Sequence, residues 1–211
     1  MRCIEGHSRT VNWWSATASS AKVGFSNHLH KRRHTMFEIG EVTAKAIVNA
    51  PIESVNLGDW MFTITAEEYA ACASGHQSAA QGKLASGKRF SVNLEVVGGT
   101  FMVQHYVEKV AERDHVVGFS PNTTFFLNDT DCVFAQITWE LTVVRIDNKS
   151  CELTCRVFAE SDNETFVAGL TKAAEENPGE KSALHHHIEE EAPMFARDIE
   201  RKALAGVWRS R

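Results

Sequence analysis

The chain has 211 residues, 43% of them hydrophobic and 23% charged, which is the balance of an ordinary globular protein with enough chain for one sizeable core. A net charge of −5 argues against a nucleic-acid partner, and no run of about 18 apolar residues is present to span a membrane.

The charge is unevenly spread. Residues 1–35 carry six basic side chains (Arg2, Arg9, Lys22, Lys31, Arg32, Arg33) against one acid, Glu5, and show no sustained period. They lack the apolar core of a secretory signal. They partly match an organelle transit peptide, being rich in Ser and Arg and poor in acids. They read as a disordered basic extension, with Met36 as an alternative start. That reading places the protein in the cytoplasm, organelle targeting by residues 1–35 being the alternative. Trp13-Trp14 has no role in it.

The folded part is expected over 36–204, followed by a short tail, 205–211. Val42, Ala44, Ala46 and Val48 alternate with Glu41, Thr43 and Lys45, a half-buried strand. Pro51 ends it, since proline cannot donate to a ladder. Thr65-Ala66-Glu67-Glu68 has the form of a capping box and predicts a helix over 66–74, with Gly75 as its C-terminal cap.

A run of strands follows. Phe90, Val92, Leu94 and Val96 alternate with Ser91, Asn93 and Glu95, and Gly98-Gly99 signals a hairpin into 100–110. Further strands are expected at 115–120 and 123–127, separated by Pro121-Asn122. The clearest pair comes last. Val133, Ala135, Ile137, Trp139, Leu141 and Val143 share one face, as do Cys151, Leu153, Cys155, Val157 and Ala159. These form a long antiparallel hairpin with one dry face and one wet face.

Ser161-Asp162-Asn163-Glu164 reads as a second capping box opening a helix near 164–175, which Asn177-Pro178-Gly179 ends. The closing helix places Ile188, Ala192, Phe195, Ile199 and Ala203 on one continuous apolar stripe. Pro193 kinks it or marks the start of its regular part. The five cysteines (Cys3, Cys72, Cys132, Cys151, Cys155) include no CxxC pair. Cys151 and Cys155 would lie about 13 Å apart along a strand, too far for a disulfide. The cysteines read as buried free thiols of a reducing compartment.

The order is strand, helical segment, antiparallel strands, helix: an α+β chain of about seven strands. In this order, and in Val48-Asn49-Ala50-Pro51-Ile52-Glu53-Ser54-Val55, the chain resembles the START-like superfamily of the birch-pollen allergen, polyketide cyclases and lipid-transfer domains (SRPBCC). The likeness covers about 36–204. It departs in the capped helix and Asn-Pro-Gly break before the last helix. The resemblance implies a helix-grip fold, a curved antiparallel sheet wrapped on a long C-terminal helix, enclosing a pocket for an apolar or aromatic, lipid-like small molecule.

Candidate ligand-binding residues are Trp60, Phe62, Phe90, Val92, Leu94, Phe101, Val103, Trp139, Leu141, Leu153, Phe195 and Ile199. Trp139, centred on the longest strand, suits stacking on a flat ligand as well as it suits core packing. His105, in register with Phe101, Val103 and Val107, is the candidate general base. Tyr106 or Gln104 would then orient a carbonyl. The competing reading is a core histidine with a backbone or water partner. His185-His186-His187 is read as solvated, because successive helical residues point about 100° apart and ligand pairs usually stand at i, i+4. No metal or cofactor is expected. Three functions follow: an apolar small-molecule carrier, a cyclase- or dehydratase-type enzyme using His105, or a homodimer paired through a sheet edge.

Overall fold

The computed structural model describes residues 35–208, so the expectations for residues 1–34 lie outside the described residues. The chain forms a seven-stranded antiparallel sheet in the order β1-β7-β6-β5-β4-β3-β2, with the long C-terminal helix packed on it. The strands are β1 (Phe37–Val48), β2 (His76–Lys83), β3 (Arg89–Val97), β4 (Thr100–Ala111), β5 (His115–Phe126), β6 (Cys132–Arg145) and β7 (Cys151–Ser161). The helices are α1 (Leu57–Met61), α2 (Ala66–Ala70), α3 (Glu164–Glu176) and α4 (Ala183–Leu204).

β1 ends before Pro51, and the chain passes through a single 3-10 turn into α1. The Thr65 hydroxyl accepts from the Glu68 amide at 3.2 Å, and Glu68 reaches back to the Thr65 amide at 3.0 Å. This box opens α2, but the helix stops at Ala70. Residues 76–83, which carry no clear alternation, pair with β3 as the edge strand β2. Gly75 therefore does not cap a helix. It lets two backbones approach: a Cβ there would stand 2.4 Å from the Val96 carbonyl oxygen.

Gly98 and Gly99, at φ 57° and 79°, make the β3–β4 turn, where both central residues must be left-handed. Residues 115–126 form one strand rather than two. Its register shifts between Ser120 and Thr123, so Pro121 sits in an irregularity where its missing N–H costs no ladder bond.

β6 and β7 pair Trp139 with Val157, Leu141 with Cys155 and Val143 with Leu153, all facing the core. The second capping box differs from expectation. Asn163 is the cap, accepting from Phe166 N at 3.0 Å, while the Ser161 hydroxyl donates to the Phe134 carbonyl at 2.6 Å. In α4 the stripe Ile188, Ala192, Phe195, Ile199 and Ala203 is buried against the sheet, with Pro193 on the exposed side. Fully burying a side chain the size of Phe195 or Ile199 contributes about 1.5–3 kcal/mol. That burial is what holds the closing helix in place.

Candidate functional site

Between the sheet and α4 lies a cavity of about 650 Å³. Strands β1, β7, β6, β5, β4 and β3 contribute to its wall, and α3 and the start of α4 lie along its rim. Most of the wall is apolar: Met102, Tyr106, Ile137, Trp139, Val157 and Ala159 from the sheet, Ile188 from α4, and Phe166 and Leu170 from α3. One side is polar. There Asn93 and Glu95 of β3 pair across the ladder with Gln104 and Met102 of β4, and all four are buried.

The polar side is a connected network. Glu95 accepts from the Tyr69 hydroxyl at 2.8 Å and from the Gln104 amide. Ser91 donates to Asn93 Oδ1 at 2.6 Å. His76 stacks on Tyr69 with ring centroids 3.8 Å apart, and its Nδ1 lies 2.8 Å from the Tyr69 carbonyl oxygen. His187 and Glu191 of α4 close the group from the other side, with His187 Nε2 3.3 Å from Glu95 and 3.4 Å from Glu191. Burial opposes the charged form of His187. The Glu95 hydrogen bond and the Glu191 and Glu95 charges more than offset it, lifting its pKa to about 9. Burial likewise opposes ionisation of Glu95, yet His187, His76 and Tyr69 hold it below the ordinary carboxylate value.

The candidate residues fall into three sets. Trp139 and Tyr106 line the cavity, with ring centroids 5.4 Å apart. Trp60, Phe62, Leu141, Leu153, Phe195 and Ile199 are buried in the core and do not line the cavity. Trp60 packs edge-on against Phe195 and Trp139, at 4.9 and 6.1 Å between centroids. Phe90, Val92, Leu94, Phe101, Val103 and His105 stand on the opposite face of the sheet from the cavity.

The last set is a correction of face. The period-two reading of β3 and β4 is right, but the inward residues are Ser91, Asn93, Glu95, Met102, Gln104 and Tyr106. His105 is exposed and packs edge-on to Phe90 at 5.3 Å. It has no access to the cavity and cannot serve as a base there. The polar residues turn inward because they satisfy one another, which removes most of the cost of burying them.

His76, Glu95, His187 and Glu191 were not among the expected site residues. His76 reads as a loop residue in sequence and Glu95 as one of a solvated face. The one local signal was the i, i+4 spacing of His187 and Glu191. The reading of the cysteines also changes at one position: Cys72, Cys151 and Cys155 are buried free thiols, but Cys132 is exposed.

Among solved structures, TTHA0849 from Thermus thermophilus carries the fold likeness: it superposes with a TM-score of 0.52 at 15% identity, covering 79% of this chain and 98% of that one. A START superfamily protein from Mycobacterium smegmatis gives 0.41 at 14% identity, over 71% and 97% of the two chains. The Zhui aromatase/cyclase from Streptomyces sp. R1128 gives 0.47 at 11% identity, over 80% and 96%. No protein-family model matches the sequence, and no curated protein does. At these identities the likeness concerns the fold alone: a seven-stranded antiparallel sheet with a long C-terminal helix packed on it, the α+β helix-grip arrangement.

Proposed function

We propose that this protein binds a small, largely apolar organic molecule inside the cavity, with a polar group of the ligand directed at Gln104, Asn93 and Glu95. The observation that carries this reading is the cavity itself. About 650 Å³ lies within the usual range for ligand sites, and the wall joins a broad apolar surface to a few converging polar groups. Trp139 and Tyr106 place aromatic rings on that wall, which suits a flat ligand. Carriage or storage needs nothing further. The enzymatic reading loses its motive with His105 on the outer face.

Native mass spectrometry against flat aromatic and linear aliphatic compounds of graded size tests the proposal. Binding of one molecule per chain, rising with apolar size and then stopping abruptly, supports it. Absence of any complex across the series would falsify it.

A further inference from the structure

Two imidazoles and two carboxylates converge from three separate elements. His76 opens β2, Glu95 lies near the end of β3, and His187 and Glu191 stand one turn apart on α4. All four are buried. Glu191 Oε2 lies 3.2 Å from His76 Nε2 and 3.4 Å from His187 Nε2. Glu95 Oε2 lies 3.4 and 3.3 Å from the same two nitrogens. Charge-assisted hydrogen bonds between such groups close to about 2.7–2.9 Å. These contacts are longer hydrogen bonds, that between His76 Nε2 and Glu191 among them, and their spacing also matches neighbouring ligand atoms around a common centre: with bonds of about 2.0–2.1 Å and tetrahedral angles, adjacent ligands stand about 3.3 Å apart. The His76, His187 and Glu191 donor atoms all lie within 4.8 Å of one another. From this geometry we propose that His76, His187 and Glu191, with Glu95 beside them, bind a divalent transition-metal ion.

The surrounding bonds hold the ligand atoms in position. A carbonyl oxygen only accepts, so the 2.8 Å contact with Tyr69 O places a proton on His76 Nδ1 and leaves Nε2 as the ring nitrogen that faces Glu191 and Glu95. Cys155 Sγ lies 3.5 Å from Glu191 Oε1, and Gln104 donates to Glu95 Oε1. Both carboxylates turn Oε2 toward the two imidazoles, and in Glu95 that oxygen also accepts from the Tyr69 hydroxyl at 2.8 Å. His187 and Glu191 use the i, i+4 spacing that places two ligands on one helix face. Two carboxylates balance a divalent charge when both imidazoles are neutral, so the occupied site carries no net charge in a buried setting. The mixed nitrogen and oxygen set suits Zn²⁺ or Fe²⁺ rather than Ca²⁺ or Mg²⁺, which take oxygen ligands. Glu95, His187 and Glu191 also line the cavity, so the ion stands beside whatever fills it.

This inference does not depend on the apolar ligand, and its test uses the metal alone. The full-length protein is stripped with chelator and titrated with zinc chloride by calorimetry. One equivalent is expected to bind. Glu191→Gln and His76→Gln should each weaken zinc by more than about a hundredfold, and Tyr69→Phe, which removes only a supporting hydroxyl, by about tenfold. His186→Ala, on the exposed side of the same histidine run, should leave the affinity unchanged. Cobalt(II) absorption of the wild-type protein gives a second readout that holds even where Glu191→Gln fails to fold: tetrahedral or five-coordinate bands are expected. Three results overturn the proposal: no stoichiometric zinc uptake, zinc uptake that survives both ligand substitutions, or uptake that disappears with His186→Ala. A ligand-binding failure is read in the separate mass-spectrometric titration, so the two proposals fail independently.

Discussion

Trp60 Nε1 donates to Asp198 Oδ2 at 2.8 Å, tying α1 to α4 across 138 residues of sequence. The indole is wholly buried between Phe195 and Trp139, while Asp198 is half-buried, so the bond joins a buried donor to a carboxylate at the edge of the core. Trp60→Phe keeps most of the apolar volume and loses the donor, at a cost of about 1–3 kcal/mol. Trp60→Ala also leaves a void, at about 3–5 kcal/mol. Urea unfolding measures both; a loss under about 0.5 kcal/mol for the alanine variant would contradict the packing described.

Glu68 links the two ends of the chain's helical layer. It accepts from Lys202 at 2.6 Å, from Arg201 at 2.6 Å and from the Thr65 amide at 3.0 Å. Burial works against its carboxylate, but the Lys202 and Thr65 hydrogen bonds outweigh it and hold the pKa below 4.5. A carboxyl with a depressed folded pKa adds stability that is full above the unfolded value and lost as pH falls through the folded one. Glu68→Gln should therefore be less stable than wild type at neutral pH, with the gap closing below pH 4.5. Melting curves between neutral and acid pH check this, and a gap that widens in acid refutes it.

Thiol reactivity should separate the cysteines. Burial pushes the Cys72 thiol up to about 12, and Cys151 and Cys155 are also raised by burial. Cys132 is exposed. In a Cys3→Ser background, native protein at pH 8 should take up one alkyl group, at Cys132, and all four only after unfolding. Peptide mapping that finds Cys155 labelled in the native state contradicts the burial.

His105→Ala should change neither ligand binding nor stability by more than about 0.5 kcal/mol, since the side chain is exposed. Gln104→Leu, one residue away but facing inward, removes a buried donor to Glu95 and should lower stability by about 1–3 kcal/mol. Thermal melts of the pair show which face of β4 looks into the cavity.

The contrast between those neighbours shows what the sequence made legible. The β6–β7 hairpin could be read completely, period and face, because Ile137, Trp139 and Leu141 oppose Val157 and Cys155 on a uniformly apolar side. β3 has an equally clear period. Its face was misjudged because the rule that apolar residues point inward fails at a polar cavity wall. Phe90, Val92 and Leu94 cover the outside of the sheet there, and Asn93 and Glu95 look in. β2 left no trace, since Ser78, Ala79 and Ala80 carry little pattern, and with it went the place of His76. The spacing of His187 and Glu191 was visible, but their partners come from β2 and β3. Only the folded ladder sets those residues beside α4.

The cavity's capacity to take an apolar guest is tested most directly by calorimetric titration of a polycyclic aromatic probe into wild type and Ala159→Phe. Ala159 is buried on the cavity wall, so the larger ring fills space otherwise open to the probe. With both proteins shown to be folded by circular dichroism, wild type should bind one probe with a negative heat-capacity change. The variant should bind none. Equal binding by the two proteins, or binding by neither, would contradict the account.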